Sequence, residues 1–150
     1  MPDSTQLTAR PTTYNGIAMR SRLEAKYAAW LDSVKANWEY EPRCFATEAG
    51  QYLPDFLIRG VKFLESEVDV YVEVKPLLSM FSQDRFREVA AIIGASEPDA
   101  LFILDAADLS GPVVGMWWTE MRTRCHWSLN PSTYQLLLML ELVTPWREAM

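Results

Sequence analysis

The stretch YLPDF at 52–56 sets Asp55 directly behind a proline, and VYVEVKP at 70–76 sets Glu73 and Lys75 two apart in a run of valines. Residues two apart on a strand point to the same face, so Glu73 and Lys75 are neighbours, and antiparallel pairing can bring Asp55 beside them. Two adjacent carboxylates repel unless a cation lies between them, and a magnesium ion would remove that cost. The set then has the parts that phosphodiester hydrolysis needs: a Lewis acid on the phosphoryl oxygens, an in-line water, and positive charge where the transition state gains negative charge. Asp55 and Glu73 can hold the metal, and the main-chain carbonyl of Val74 can add an oxygen ligand. Lys75 can orient or deprotonate the water and stabilise the pentavalent phosphorus, whereas an arginine there would keep its charge but could not act as a base. Singly, Pro-Asp is ordinary turn chemistry and Glu-x-Lys is an ordinary charge pair worth about 0.2–1 kcal/mol. Their combination points to a site.

The elements that must position these side chains follow from periodicity. Between Ile17 and Lys35, residues Leu23, Tyr27, Trp30, Leu31 and Val34 recur at steps of three and four. That is the period of one buried helix face and predicts a first helix, with Asn15 and Gly16 as its start signal. The aromatic-rich WEYEPRCFA at 38–46, broken by Pro42, reads as an edge strand because proline cannot donate to a ladder. Beyond the turn-like TEAG at 47–50, QYLPDFLI and VDVYVEV complete a three-stranded antiparallel meander. Its alternation puts Val68, Val70, Val72 and Val74 on one face and Asp69, Tyr71, Glu73 and Lys75 on the other. A second helix is expected from about Ser82 to Gly94, burying Phe86, Val89, Ala90 and Ile93, with Gly94 as its stop. ALFILD at 100–105 is the continuous apolar run of a strand covered on both faces, and its place after a strand and a helix predicts a parallel crossover. A strand at 113–118, VVGMWW, and an apolar helix from Ser132 to Val143 follow.

Composition sets the class. The chain has 150 residues, 49% hydrophobic and 23% charged, which fits one soluble globular domain. The expected division is a polar arm at 1–13 and a single domain at 14–150, with its core at 14–105 and a C-terminal extension at 106–150. The N-terminal stretch lacks the apolar segment of a secretory signal, and the longest apolar run, LLLML at 136–140, is far short of the roughly 20 residues a bilayer requires. A cytoplasmic protein with no membrane span is expected. Cys44 and Cys125 are too few for a disulfide framework, show no CxxC spacing, and read as reduced and buried.

The net charge of −6 excludes a protein that coats nucleic acid by charge alone, so contact with DNA must be local. The best local cations are Arg20, Arg22 and Lys26 on the first helix and Arg85 and Arg87 on the second, although a solvated helix face explains each equally well. The sole histidine, His126, has no partner pattern for a nucleophilic triad. The tryptophans read as core rather than as stacking platforms, and Glu65, Glu67 and Asp69 as a hairpin surface.

Pro54, Asp55, Glu73, Val74 and Lys75 together resemble the PD-(D/E)XK nuclease superfamily, which carries Pro-Asp on one strand and then Asp or Glu, any residue and Lys on the next. RSRLEAKYAAWLD at 20–32 and WEYEP at 38–42 are similar to the helix and first strand of its phage-type and TnsA-like members. The resemblance covers roughly residues 14–105. It implies an α/β fold with a restriction-endonuclease-like core, α-β-β-β-α-β, a mixed central sheet flanked by helices, here with a further C-terminal strand and helix. The implied activity is that of a magnesium-dependent DNA endonuclease of phage or mobile-element type, with manganese as a substitute metal. The implied partners are DNA and either a second copy of the chain, as a homodimer, or another protein that helps to hold DNA. The resemblance also gives Glu24 a role in reaching the metal or its water. Glu24 has a second reading, because Ser21-Arg-Leu-Glu24 fits a capping box; a helix starting at Ile17 would place Ser21 inside it and remove that reading. Arg20 and Glu24, one turn apart, could also pair. Three alternatives stay open: an inactive nuclease-fold module that binds DNA or protein, a TnsA-like subunit working with a transposase, and a junction resolvase.

Overall fold

A two-residue turn introduces the first helix. In the computed structural model, which describes residues 10–63, 66–97, 100–106 and 113–116, strand β1 (Thr12–Tyr14) pairs antiparallel with β2 (Ile17–Met19), Tyr14 lying opposite Ile17. Asn15 and Gly16 join them with φ of 52° and 81°. Asn-Gly tolerates positive φ at both central positions, which is what a tight hairpin asks for. The expectation of a helix from Ile17 is therefore corrected: α1 spans Arg22–Ser33. Ser21 is its N-cap, extended at φ −150° and ψ 158°, with its Oγ accepting the Glu24 N–H at 3.1 Å. Arg20 precedes the cap and is not on the helix.

The central sheet has five strands in the order β3-β6-β7-β8-β9: β3 (Asn37–Tyr40), β6 (Phe56–Phe63), β7 (Ser66–Lys75), β8 (Leu101–Ala106) and β9 (Val113–Met116). The β7 and β8 strands are parallel and the other neighbours antiparallel, so the sheet is mixed and the chain α/β. As expected, β3 is an edge strand and the crossover from β7 to β8 runs through a helix, α2 (Gln83–Ser96). QYLPDFLI and WEYEPRCFA are not single strands, however. Pro42 and Pro54 cannot donate a main-chain hydrogen bond, and each marks a break. Between the breaks stands a separate small hairpin of β4 (Phe45–Thr47) and β5 (Gly50–Tyr52).

The period-2 alternation of β7 divides the core. Val68, Val70, Val72 and Val74 pack with Tyr27, Ala28, Trp30 and Leu31 of α1, with Phe56 and Ile58 of β6, and with Leu101 and Ile103 of β8. On the opposite face, Tyr71 packs with Leu57, Phe102 and Leu104 and with Phe86, Val89, Ala90 and Ile93 of α2. The helices thus cover opposite faces, and β8 is buried along its whole length, as its apolar run requires. The stop assigned to Gly94 is corrected, since α2 continues to Ser96 with Gly94 buried within it. Cys44 is also corrected: it is exposed, because alternation into β4 turns Phe45 inward and Cys44 outward.

Among the described residues no helix is long and apolar enough to cross a membrane. Residues 1–9, Glu65, Trp117, Trp118, Cys125, His126 and the helix expected from Ser132 to Val143 lie outside the described residues.

Candidate metal and phosphodiester site

Asp55 sits where β6 begins, and its backbone is fixed from both sides. Its N–H donates to the Val72 carbonyl at 3.0 Å, and its carbonyl accepts the Glu41 N–H at 2.8 Å. Phe56 lies opposite Val72, so the register carries Asp55 beside Glu73. The side chain is held as well: Oδ2 accepts the Val74 N–H at 2.7 Å, and Oδ1 meets Arg20 Nη2 at 3.3 Å. With 1% of its surface exposed, Asp55 is one of four buried charged residues among those described, the others being Glu24, Glu73 and Asp105.

Glu73 and Lys75 share a face of β7, as alternation requires, and their side chains meet: Lys75 Nζ lies 2.9 Å from Glu73 Oε2. The other oxygen, Oε1, accepts the Tyr52 hydroxyl at 2.6 Å. Tyr52 ends β5, its ring is edge-on to Phe81 and Phe102, and the Arg85 guanidinium lies 5.3 Å from its centre.

Glu24 approaches from α1. Its N–H completes the cap on Ser21, while Oε1 accepts the Tyr40 hydroxyl at 2.5 Å and the Arg20 N–H at 3.2 Å. Only the Ser21 half of the expected capping box forms: the Glu24 carboxylate accepts from the Arg20 N–H instead of the Ser21 N–H and turns toward the site. The side-chain pair between Arg20 and Glu24 does not form; the Arg20 guanidinium instead bridges Glu41 at 2.8 Å and Asp55. Glu41 holds φ at 48°, a left-handed conformation that costs a residue with a Cβ roughly 1–2 kcal/mol. In that conformation its N–H reaches the Asp55 carbonyl and its carboxylate reaches Arg20.

Negative charge is in excess at this end of the sheet. Burial first, and then the Glu73 and Glu24 anions, push the Asp55 carboxyl well above its ordinary value, and the Val74 N–H and Lys75 only partly offset them. Burial alone would lower the Lys75 ammonium, but Glu73, Asp55 and Glu24 outweigh it and raise it. Lys75 is thus a cation at neutral pH. Burial and the Glu24 hydrogen bond raise the Tyr40 phenol, and burial and Glu73 raise that of Tyr52, so both hydroxyls keep their protons.

Among the described residues, no group of three or more His, Cys, Asp or Glu side chains is arranged to hold a metal ion. Magnesium commonly binds through only one or two carboxylates and keeps several waters. Asp55 and Glu73, with the carbonyl of Val74, could form such a set, and a divalent cation between the two carboxylates would offset the repulsion that, after burial, raises Asp55. The residues present fit a hard divalent cation.

The cations expected to meet DNA divide into two groups. Arg22, Lys26 and Arg87 are exposed and make no ion pair among the described residues. Arg20 is engaged with Glu41 and Asp55, and Arg85 with Thr47 at 2.7 Å, Glu88 at 3.2 Å and the Tyr52 ring. Tyr40, Tyr52 and Glu41 were not marked by the sequence as part of the site. The one local signal was the nearness of Tyr52 to Asp55 in YLPDF. No protein-family model, curated protein or solved structure matches the chain.

Proposed function

We propose that this protein is a metal-dependent DNA endonuclease with a restriction-endonuclease-like core, hydrolysing phosphodiester bonds with magnesium, or manganese in its place. The observation that carries this reading is the convergence of Asp55, Glu73, Lys75 and Glu24 at one end of the sheet, with Asp55 fastened to the strand that bears the other two by the Val74 N–H.

Asp55, Glu73 and the Val74 carbonyl would hold the cation, which supplies Lewis acidity toward a phosphoryl oxygen and makes a water more acidic. Lys75, an ammonium raised by its anionic neighbours, places positive charge where the pentavalent phosphorus becomes more negative. That protonated state favours a cation over a base among its two expected roles. Glu24 offers Oε2, which takes no hydrogen bond among the described residues, as an acceptor for a water. Arg22, Lys26 and Arg87 are free to meet phosphates on a molecule whose total charge is −6, and a second copy of the chain or a partner protein would supplement them.

A second reading has its own support: Arg20 and Lys75 already neutralise one oxygen each of Asp55 and Glu73. This is how a nuclease-like module that binds DNA or protein without cutting could keep its carboxylates. The test offers supercoiled, linear, single-stranded and branched DNA to the purified protein with magnesium, manganese or chelator. Cleavage that requires the metal and is lost in Asp55→Ala and Lys75→Ala supports the endonuclease; intact DNA throughout selects the binding module.

A further inference from the structure

We infer that Tyr52 is a positioning residue for the proposed metal site, holding one oxygen of Glu73 so that the other is kept for the cation. The inference rests on the metal-site reading above and adds to it a residue outside the Pro-Asp and Glu-x-Lys pattern.

Each site carboxylate is gripped in the same way. One oxygen accepts from a neutral donor fixed by the fold: Oδ2 of Asp55 from the Val74 N–H, Oε1 of Glu73 from Tyr52, and Oε1 of Glu24 from Tyr40. The second oxygen meets only an exchangeable cationic side chain, Arg20 for Asp55 and Lys75 for Glu73, or, for Glu24, no donor among the described residues. A neutral donor leaves the carboxylate its charge, and so its attraction for a metal. A cationic side chain can be displaced by a metal that supplies the same compensation.

Tyr52 suits this task because its hydroxyl has little freedom. The ring is 6% exposed, packed edge-on at 6.2 Å from Phe81 and 6.0 Å from Phe102, and capped by Arg85. Arg85 is itself tied to Thr47 of the β4–β5 hairpin, so hairpin, α2 and β7 jointly set where the Glu73 carboxylate lies. A donor that orients a metal-binding side chain typically changes metal affinity by roughly 10–100-fold when removed.

Tyr52→Phe deletes one oxygen and leaves the ring against the same neighbours. The probe is Mn2+ alone, titrated into the full chain without DNA, at a temperature well below the melting point each protein shows in chelator. Wild type is expected to bind Mn2+, Asp55→Asn to lose that binding, and Tyr52→Phe to bind about 10–100-fold more weakly. In a Glu73→Gln background, Tyr52→Phe should weaken binding no further, because Tyr52 acts through Glu73. With DNA present, Tyr52→Phe should recover most of its cleavage rate at high Mn2+. Unchanged Mn2+ affinity in Tyr52→Phe, while Asp55→Asn loses binding, overturns the inference and leaves the metal site standing. A wild-type protein that binds no Mn2+, or whose binding survives Asp55→Asn, overturns both.

Discussion

The main-chain N–H of Val74 donates to Asp55 Oδ2 at 2.7 Å, joining the residue just before β6 to the middle of the Glu73-Val74-Lys75 triplet. The Asp55 carboxylate is thereby anchored to the backbone of the strand that bears Glu73 and Lys75. An asparagine at this position can still accept from Val74 through its amide oxygen while removing one buried anion. The folded state raises the Asp55 carboxyl, by burial first and then through Glu73 and Glu24. Its contribution to stability is therefore fully present below the unfolded carboxyl value, about 3.9, and is lost as pH rises through the folded value. In chelator, Asp55→Asn should melt above wild type at pH 8, by an amount that shrinks as pH falls toward 5, while its DNA cleavage is abolished. Parallel melting curves across that range would show that Asp55 carries no such cost.

A divalent cation should relieve the same repulsion in the native protein. A ligand at about 100 times its dissociation constant adds about 2.7 kcal/mol to folding. For a chain of this size that is a rise in melting temperature on the order of 5–10 °C. Magnesium or manganese should produce the rise in wild type, chelator should reverse it, and Asp55→Asn should not show it. Differential scanning fluorimetry measures all three.

The sequence made this convergence legible because it follows from two local rules. The alternation of VDVYVEV assigns Val74 to one face and Glu73 with Lys75 to the other, and both clusters of the core obey it. What it concealed was tertiary. Asn15-Gly16 serves equally well before a helix or between two strands, and strands of three residues such as β1 and β2 are too short to display a period. Each described tyrosine hydroxyl donates to a carboxylate: Tyr14 to Asp32, Tyr27 to Asp105, Tyr40 to Glu24, Tyr52 to Glu73 and Tyr71 to Glu97. With 20 acidic residues against 14 lysines and arginines, cations are scarce, and phenols supply donors in their place. No spacing in one chain announces pairs separated by 16 to 78 positions.

Gly60 should tolerate a side chain poorly for backbone reasons alone. Arg59 and Gly60 stand against Asp69 where the β6–β7 register shifts, and Gly60 holds φ at 66° while its N–H donates to Asp69 Oδ1 at 3.2 Å. A Cβ there meets nothing within 4 Å, so no steric clash adds to the left-handed penalty of roughly 1–2 kcal/mol for Gly60→Ala. Urea denaturation should show a lower midpoint with an unchanged slope; an unchanged midpoint would mean that the bulge relaxes.

Acid should loosen the N-terminal hairpin before the core. Asp32 Oδ2 accepts from the Tyr14 hydroxyl at 2.6 Å and Oδ1 from the Trp38 indole N–H at 2.8 Å, so one carboxylate ties β1 and β3 to α1. Those two hydrogen bonds, Tyr14 first, hold the Asp32 carboxyl below its ordinary value. Their contribution is present above the unfolded carboxyl range and disappears as pH falls through the lowered value, the opposite sense to Asp55. Amide exchange at Thr12–Met19, corrected for the intrinsic pH dependence of exchange, should lose protection below about pH 4 or in Asp32→Ala at neutral pH, while β7 amides keep theirs. Protection at Thr12–Met19 that follows β7 at every pH would show that the hairpin does not open separately.

Lys75 separates charge from basicity most directly. Its ammonium lies 2.9 Å from Glu73 Oε2 and is raised, burial being outweighed by Glu73, Asp55 and Glu24, so it enters the reaction protonated. Lys75→Met removes the charge and leaves Glu73 dependent on Tyr52 alone, which should lower stability by about 1.5–3 kcal/mol, the worth of a hydrogen bond to a charged group. The cleavage rate should fall by about 10²–10³-fold, as when one preorganised donor to a developing anion is deleted. Lys75→Arg keeps a permanent positive charge that cannot serve as a base. If the lysine works as a cation, Lys75→Arg should cleave measurably faster than Lys75→Met at saturating magnesium and neutral pH. Equal, residual rates in the two variants would overturn the assignment of Lys75 as a cation acting through charge, because a guanidinium that keeps the charge would then restore nothing.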